Sequence, residues 1–200
     1  MTRSMCRFIE TMQIRNGRIT NLPYHNARMH RARSQILGCQ NEIRIEDVLS
    51  IPAGFKNGKG KCRIIYGREI ESIEFREYQV RQIESLKIVD ADIEYSHKYE
   101  DRSEIQALFD RRMQCDDILI TKGGRITDTS ISNVAFRDGS EWITPLHPLL
   151  PGTRRMQLLQ DGKIKTSDIA VDDLKNFQEV CLINAMLDLG DMIIPVQQIK

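Results

Sequence analysis

The chain has 200 residues, 28% of them charged, and a net charge of +1. Because neither sign of charge dominates, the composition argues against a nucleic-acid-binding or membrane-surface protein, whose affinity would depend on a basic excess. No apolar run approaches the roughly 20 residues of a membrane span, and the N-terminal residues alternate between apolar and polar side chains instead of forming the apolar centre of a signal peptide. We therefore expect a cytoplasmic protein, long enough to bury a core as one large domain or two small ones.

The cysteines and histidines indicate neither a cross-link nor a metal site. The five cysteines are scattered and form no C-x-x-C pair, so each is expected to behave as a small apolar residue in or near the core. The four histidines have no metal-ligand spacing. We therefore predict no disulfide framework and no metal.

The first predicted element is a β-hairpin. Residues 7–14 have the composition of a strand, and Asn16-Gly17 is the strongest short signal for a tight hairpin turn. A return strand is therefore expected at residues 18–22.

A helix follows the hairpin. Pro23 opens it, because the missing proline N–H falls in the first turn, where it is not needed. Gly38 is the expected C-cap. The apolar residues of this helix form only a loose stripe, and we expect the opposite face to carry its arginines, Arg28, Arg31 and Arg33.

The remainder of the first half predicts an α+β unit of mainly antiparallel strands. The expected elements are a short helix at residues 44–50 and strands at residues 62–66, 73–80 and 85–89. Residues 90–100 are polar and irregular, which is typical of a join between two units. We predict a small N-terminal α+β domain at residues 1–86 and a larger domain at residues 87–200.

The second half predicts alternating helices and short strands. In order, we expect a helix at 102–113, a buried strand at 116–121, a polar loop that carries Asp128 and Asn133, a strand pair hinged at Asp138-Gly139, a helix from Gly152 to Leu159, a short strand, a brief helix capped at Asp172-Asp173, a strand at 179–184 and a last segment at 192–199.

Two groups of polar residues in this half could bind a ligand. Gly152, Thr153 and Arg154 lie where a loop enters a helix, and the free amides and positive dipole end of a helix N-terminus bind phosphate well. The alternative, which spacing alone favours, is that Thr153 is an ordinary helix cap. Asp128 could hold a protonated ring nitrogen, but a lone aspartate in a polar loop is more often a turn residue. Asn133 could fix a loop or contact a cofactor.

The polar join contains His97-Lys98. A desolvated lysine has a lowered pKa and can act as a nucleophile or a base. Composition alone does not single out Lys98 from the other lysines of the chain, and a lysine in a charged run is more often solvated.

The segment from Asp128 to Arg155 resembles the signature of the class IV aminotransferases, which depend on pyridoxal 5'-phosphate (PLP). That signature runs from an acidic residue through small polar residues, Asn and an apolar pair to Thr-Pro, and ends in Gly-x-x-Arg. The matching residues here are Asp128-Thr-Ser-Ile-Ser-Asn133, Thr144-Pro145 and Leu150-Pro-Gly152-Thr153-Arg154-Arg155. Upstream, His25-Asn-Ala-Arg28-Met29 is similar to a His-x-x-Arg helix of the family, so the resemblance spans nearly the whole chain.

This resemblance implies a role for each matched residue. Lys98, which is 30 residues before Asp128, matches the lysine that carries PLP and then acts as the base. Asp128 matches the carboxylate that pairs with the pyridine nitrogen, although the family usually has Glu there. The remaining cofactor contacts implied are Arg28, Asn133, Gly152, Thr153, Arg154 and Asn184.

The fold implied is the two-domain α/β (α+β) fold of the family, with the cofactor in the interdomain cleft and a homodimer as the usual assembly. Arg63, on the strand at 62–66, is a candidate for gripping a substrate carboxylate, and a solvated strand arginine is the equal alternative. Because the chain is shorter than most members, the resemblance does not extend to the pocket loops.

The activity that this resemblance favours is cleavage of 4-amino-4-deoxychorismate into pyruvate and 4-aminobenzoate, a step in folate precursor synthesis. The segment Asn184-Ala185-Met186 resembles the lyases more than the branched-chain aminotransferases. The alternatives are an aminotransferase for a branched-chain or D-amino acid with 2-oxoglutarate, and a non-catalytic binding protein on the same fold.

Overall fold

The computed structural model describes residues 6–200; residues 1–5, part of the segment considered as a targeting signal, lie outside the described residues. The chain forms two compact units. Unit 1 comprises the described chain up to Val80 together with His97–Asp101, and unit 2 comprises Arg81–Ser96 and Arg102–Lys200. The fold is mixed α/β, as predicted, while the predicted division into domains 1–86 and 87–200 stays a prediction.

Unit 1 contains a four-stranded antiparallel sheet with the strand order β2-β1-β3-β4. Its strands are β1 (Phe8–Arg15), β2 (Arg18–Ile19), β3 (Lys59–Tyr66) and β4 (Ile70–Glu77). Asn16 and Gly17 both have positive φ, 49° and 73°, which is the geometry of a two-residue hairpin turn. The predicted hairpin is therefore confirmed, with a return strand of only two residues.

The helix α1 (Leu22–Leu37) follows the hairpin and ends at Gly38, whose φ is 68° and whose N–H donates to the carbonyl of Arg33. Both predicted ends are confirmed to within one residue. A short helix α2 (Ile45–Val48) and a 3-10 turn (Ala53–Phe55) complete the unit.

The core of unit 1 lies between α1 and one face of β1 and β3. Phe8, Met12 and Ile14 of β1 pack with Met29 and Ala32 of α1. Alternate residues of a strand point to one face, and on β1 this face is the apolar one.

The expectation that the arginines of α1 lie on the face away from the apolar stripe is wrong for two of them. Arg33 is fully buried and Arg28 is 5% exposed. Arg33 donates to the carbonyls of Arg68, at 2.6 and 3.1 Å, and of Asn41, at 2.7 Å. These bonds satisfy the guanidinium inside the unit. The spacing of apolar residues along the helix does not reveal them.

Unit 2 contains an eight-stranded mixed sheet along the path β10-β9-β8-β7-β6-β5, with β11 paired to β8 and β12. Its strands are β5 (Leu86–Asp90), β6 (Asp117–Lys122), β7 (Arg125–Thr129), β8 (Asn133–Asp138), β9 (Glu141–Pro145), β10 (Lys165–Ser167), β11 (Glu179–Ile183) and β12 (Ile193–Pro195). The pairs β5/β6 and β9/β10 are parallel and the others are antiparallel.

Two α-helices flank this sheet, α3 (Ser103–Phe109) and α4 (Thr153–Gln160), together with 3-10 turns at Asp110–Arg112, Val171–Asn176 and Val196–Gln198. The main core packs Leu86, Leu119, Phe136 and Leu182. Trp142 of β9 packs against a second cluster, and the guanidinium of Arg137 lies 5.8 Å from the centroid of its ring.

The expected polar loop around Asp128 is wrong. Residues 125–129 form β7, and Asp128 is a buried strand residue, 5% exposed. Asp128 hides this strand in the sequence, because it stands two residues after Ile126, where an alternating strand would have an apolar residue.

All five cysteines are free thiols, and Cys39, Cys62, Cys115 and Cys181 are buried, which confirms their predicted place in the core. Burial raises the pKa of Cys62 to about 12. Within residues 6–200, no helix is both long enough and apolar enough to cross a bilayer.

Candidate functional site

A buried ion cluster, the Glu10 cluster, joins β1 to α1 in unit 1. It comprises Glu10, His25 and Arg28, and the carboxylate and the imidazole are both fully buried. Arg28 donates from Nε to Glu10 Oε1 at 2.8 Å and from Nη2 to Oε2 at 2.6 Å, and His25 Nδ1 lies 2.5 Å from Oε2. Because residues three apart on a helix share a face, α1 presents both the imidazole and the guanidinium to a single carboxylate.

Electrostatics make this carboxylate a permanent anion. Burial alone would raise the pKa of Glu10, but the charge of Arg28 and the hydrogen bonds from His25 and Arg28 outweigh burial and lower it to about 2. Burial lowers the pKa of His25; the charges of Arg28 and Lys98 lower it too, against the hydrogen bond to Glu10. The cluster is therefore a fixed Glu–Arg ion pair beside an imidazole that is difficult to protonate.

The segment His97–Asp101 belongs to unit 1 and pairs with the start of β1. Ile9 N donates to the carbonyl of Lys98 at 2.9 Å, and Phe8 forms an antiparallel bridge with Tyr99. The charge of Lys98 acts on the pKa of His25, so the amine lies within electrostatic reach of the Glu10 cluster. Unit 1 thus gathers two predicted residues, Arg28 and Lys98, in one region.

Arg63 lies on β3 of the same sheet and is 31% exposed at its side chain. Its Nη2 atom lies 3.9 Å from Oε1 of Glu100, which is beyond hydrogen-bond distance. A partly exposed Arg63 with this long contact fits both alternatives, a substrate-binding arginine and a solvated one.

A second buried network, the Asp128 network, organises the predicted site residues of unit 2. Asn133 is its hub: Nδ2 donates to Asp128 Oδ1 at 2.7 Å and to the carbonyl of Leu150 at 2.8 Å, while Oδ1 accepts from Gly152 N at 3.1 Å. Asp128 Oδ2 accepts from Leu150 N at 2.8 Å. One amide side chain thus connects the carboxylate on β7 to the loop that starts α4.

Asp128 differs from Glu10 in its electrostatics. Burial raises its pKa to about 7, against hydrogen bonds from Leu150 and Asn133 and the charge of Arg155. Arg155 itself is bonded to Thr144 Oγ1 at 3.2 Å and to the carbonyl of Pro145 at 2.7 Å. Asp128 can therefore hold or release a proton near neutral pH.

The N-terminus of α4 begins at Gly152, and Thr153 is the first helical residue, buried at 3% exposure. The alternative that Thr153 caps the helix is wrong, because Gly152 is the N-cap and no side-chain cap bond is made. A Cβ at position 152 would lie 2.1 Å from Asn133 Oδ1. Glycine is required here because the amide of Asn133 occupies the space.

Arg154 extends from the same turn toward the loop after β11. Its Nη2 pairs with Asp188 at 2.7 Å and its Nη1 donates to Gln157 at 2.9 Å. Its Nε atom is buried and has no hydrogen-bond partner within residues 6–200. A buried donor without an acceptor is costly, so this atom retains an unused donor.

Asn184 has a structural role in this conformation. Its Nδ2 donates to Ser132 Oγ at 2.9 Å, and its Oδ1 accepts from the amides of Met186 and Leu187 at 2.8 and 3.1 Å. These bonds close the turn after β11 and connect it to the loop between β7 and β8, which carries Ser132.

The predicted site residues therefore fall into two groups. Unit 1 holds Arg28, Lys98 and Arg63, whereas unit 2 holds the residues of the Asp128 network and of the α4 N-terminus, namely Asp128, Asn133, Gly152, Thr153 and Arg154, with Asn184 on a neighbouring turn. Within residues 6–200 no group of three His, Cys, Asp or Glu side chains could hold a metal ion.

Sequence reasoning missed Glu10, His25 and Arg155. A signal for the first two was present: a carboxylate on the apolar face of a strand, next in sequence to a helix that carries His and Arg three residues apart. Arg155 is the arginine of the Gly-x-x-Arg signature, to which no role was assigned, and its partners are a hydroxyl and a backbone carbonyl.

The residues of unit 2 fit a phosphorylated ring cofactor such as PLP. A helix N-terminus, a buried hydroxyl and an arginine with a buried unsatisfied Nε are a donor set for a phosphate monoester. A carboxyl with a pKa of about 7 suits a ring nitrogen that must stay protonated. In unit 1, by contrast, two nitrogens of Arg28 are already bonded to Glu10, so Arg28 presents a neutralised guanidinium.

Comparisons with known proteins agree with this chemistry. Residues 7–199 match the family model described as amino-transferase class IV. An uncharacterized protein of Haemophilus influenzae is 41% identical over 91% of this chain and 98% of its own length.

Solved structures are similar as well. A crystal structure from Haemophilus somnus, described provisionally as a 4-amino-4-deoxychorismate lyase, is 32% identical with a TM-score of 0.87, over 92% of this chain and 98% of that one. A hypothetical aminotransferase of Mycobacterium tuberculosis, solved with PLP bound, shares the fold with a TM-score of 0.77 at 17% identity, over 97% of this chain and 81% of that one.

Proposed function

The chain belongs to the class IV amino-transferase family, and we propose that within it this enzyme is a PLP-dependent lyase that cleaves 4-amino-4-deoxychorismate into pyruvate and 4-aminobenzoate. The observation that carries the proposal is the solved Haemophilus somnus structure, which is similar over nearly its whole length and bears the provisional lyase description. The chemistry of the residues described above supports the cofactor.

The phosphate of PLP would be held by the first turn of α4. The amides of that turn, the hydroxyl of Thr153 and the guanidinium of Arg154 are donors, and the helix dipole adds a positive end. Asn133 would act indirectly, since both of its side-chain polar atoms are already bonded to protein groups. Gly152 leaves space for that amide.

In its carboxylate form, Asp128 would accept a hydrogen bond from the protonated ring nitrogen of the cofactor. Its pKa of about 7 allows the proton to be shared with a ring nitrogen at neutral pH. PLP, when bound, supplies an electron sink for the pair of electrons left on the substrate carbon. A protonated ring nitrogen strengthens that sink.

Lys98 would carry the cofactor and, once the substrate amine has replaced it, act as the base. Its amine removes the proton from the substrate carbon. The bond from the ring to the enolpyruvyl oxygen would then break, with its electron pair leaving on enolpyruvate, which takes up a proton to become pyruvate, while the ring becomes an aromatic amine.

An absorbance spectrum tests the cofactor part of this proposal. The purified protein should show a visible band after incubation with PLP, and Lys98→Ala should abolish it. Lys122→Ala is the matched control, because Lys122 is a surface lysine paired with Asp92 and Glu94 at 2.8 and 2.7 Å. A colourless wild-type protein that PLP does not reconstitute would support the binding-protein alternative instead.

A product assay separates the lyase from its alternative. The family description itself favours aminotransfer, so pyruvate release from 4-amino-4-deoxychorismate is measured beside consumption of an amino donor with 2-oxoglutarate. Pyruvate release that disappears in Lys98→Ala is the expected result. Rapid aminotransfer without pyruvate release would contradict the lyase proposal.

Location and assembly remain parts of the proposal. We expect a cytoplasmic homodimer, as the family resemblance implies, and sedimentation of the purified protein at twice the 23.2 kDa chain mass is the measurement that checks the dimer.

A further inference from the structure

The chain around Lys98 extends the antiparallel pairing of β1 in unit 1. Phe8 bridges to Tyr99, and Ile9 N donates to the carbonyl of Lys98. Side chains opposite each other in an antiparallel pair lie on the same face. Lys98 therefore shares a face with Ile9, opposite to the face that α1 covers.

Three charged residues, Glu100, Arg7 and Arg63, lie on the face of Lys98. Glu100 is two residues further along and pairs with Arg7, since Glu100 N donates to the carbonyl of Arg7 at 2.9 Å. Arg63 is opposite Thr11, two residues after Ile9 on β1. Because residues two apart on a strand point the same way, the face carries an amine, a carboxylate and two arginines.

Glu100 is held unequally by these two arginines. Its Oε2 lies 2.6 Å from Arg7 Nε, whereas its Oε1 lies 3.9 Å from Arg63 Nη2. The first contact is a close ion pair, and the second is too long for a hydrogen bond. Arg7 therefore anchors the carboxylate, and Arg63 holds it loosely.

Arg63 has unused donors. Within residues 6–200 its guanidinium makes this ion pair and no hydrogen bond. Glu74 lies opposite Arg63 on β4, but its carboxylate pairs with Arg76 at 2.9 Å. Glu100 is thus the carboxylate that Arg63 pairs with in the described part of the chain.

We propose that Glu100 is a specificity-determining residue that occupies Arg63 until a carboxylate of the substrate displaces it. An arginine fork can bind an incoming carboxylate with two parallel hydrogen bonds, which is better than the 3.9 Å contact that it replaces. Glu100 remains bonded to Arg7 and returns to Arg63 when the product leaves.

This inference rests on the proposed function, because it takes Lys98 as the group that reacts with an amino substrate. It names the substrate class: an amino compound with a carboxylate that can reach Arg63. The resident carboxylate selects against weakly anionic compounds, since each ligand must compete with Glu100 for the guanidinium.

The test is the affinity of the PLP-loaded protein for succinate, measured by titration calorimetry. Succinate is a dicarboxylate without an amino group, so it binds without reacting. Glu100→Gln should bind succinate up to about fivefold more tightly, the size of one exposed ion pair. Adding Arg63→Gln to that variant should remove the gain.

Glu71→Gln is the matched control. It removes the same charge from the same unit, and Glu71 also contacts Arg7, at 3.5 Å, but within residues 6–200 it makes no ion pair with Arg63. Its succinate affinity should equal that of the wild type. Glu100→Asp, which keeps the charge and shortens its reach to Arg63, should shift the affinity in the same direction as Glu100→Gln and provides a second variant if that one folds poorly.

An unchanged succinate affinity in Glu100→Gln would overturn the inference. So would an equal gain in Glu71→Gln, which would mean that net charge alone is responsible, or a gain that survives the loss of Arg63. Calorimetry requires no turnover, so absence of pyruvate release in the wild type would count against the proposed function and leave the succinate result interpretable.

Discussion

Two fully buried carboxylates, one in each unit, have opposite electrostatics. Glu10 is surrounded by Arg28 and His25, and its pKa is lowered to about 2. Asp128 receives hydrogen bonds mainly from neutral groups, Asn133 and a backbone amide, and its pKa is raised to about 7. Burial is the first influence on both and acts in the same direction. The charge of the partners therefore decides whether a buried acid is a fixed anion or a proton carrier.

The largest effect should come from removing the anion of the Glu10 cluster. Glu10→Gln leaves the guanidinium of Arg28 buried without a counterion, which costs about 3–5 kcal/mol of folding free energy. Urea unfolding followed by circular dichroism measures it.

The control for this change is the double variant Glu10→Gln/Arg28→Met. Replacing a whole buried ion pair by uncharged groups of similar volume is often neutral, so the double variant should recover most of the loss. A single variant as stable as the wild type would contradict the description of Glu10 as a fixed, paired anion.

The pH dependence of stability should differ in sign between the two acids. Asp128 has a raised folded-state pKa, about 7 against 3.8, so its contribution is present below pH 3.8 and lost as the pH rises toward 7. Glu10 has a lowered folded-state pKa, about 2 against 4.5, so its contribution to folding stability is present above pH 4.5 and lost as the pH falls toward 2.

Asp128→Asn isolates the pH dependence of stability that comes from Asp128. Because one pKa unit corresponds to about 1.4 kcal/mol, the wild type should lose up to about 4 kcal/mol relative to this variant between about pH 4 and pH 7. Unfolding free energies at several pH values measure it. Parallel curves for the two proteins would show that Asp128 does not titrate in this range.

Gly152→Ala tests the steric contact inside the Asp128 network. The new Cβ would meet Asn133 Oδ1 at 2.1 Å, so the amide must move and its bonds to Asp128 and Gly152 weaken. Overpacking of this kind costs about 1–3 kcal/mol, and the affinity for PLP should fall with it.

Gly54→Ala is the control, since a Cβ at position 54 meets no atom within 4 Å. Denaturant unfolding and PLP titration of both variants make the comparison. Equal behaviour of the two variants would contradict the need for glycine at position 152.

The smallest effect should come from an ion pair on the surface. Arg125 and Asp168 lie 3.4 Å apart with side chains about half exposed, so Arg125→Gln should cost less than about 1 kcal/mol. Thermal unfolding of Arg125→Gln and of Glu10→Gln measures the difference between their losses of stability. A loss as large as that of Glu10→Gln would mean that burial is not what separates these pairs.

The parts of the fold that depend on local chemistry could be predicted from the sequence. Asn16-Gly17 requires positive φ and Gly38 ends a helix wherever it occurs, so the hairpin and the limits of α1 follow from a few residues. The class IV fold followed from an ordered motif. By contrast, β7 escaped prediction because its buried residues Thr127 and Asp128 are polar, and the bonds that satisfy them, to Ile120, Asn133 and Leu150, are not visible in the sequence.

The candidate site shows the same division. Asp128, Asn133 and Gly152 could be chosen by resemblance, but their mutual bonds could not, since Leu150 joins them from 22 residues away through its backbone. Glu10 was not chosen at all. Its role depends on α1 returning over β1, a tertiary contact that no pattern of spacing in one strand contains.

The chain contains one tryptophan, Trp142, on β9 of unit 2 beside Arg137. Indole emission therefore comes from unit 2 alone, whereas circular dichroism records both units. When the Glu10 variant is denatured, superimposed emission and dichroism curves would mean that the two units melt together. A dichroism change that precedes the emission change would mean that unit 1 melts first. Trp142 thus serves as an intrinsic fluorescent probe that shows which unit a substitution destabilises.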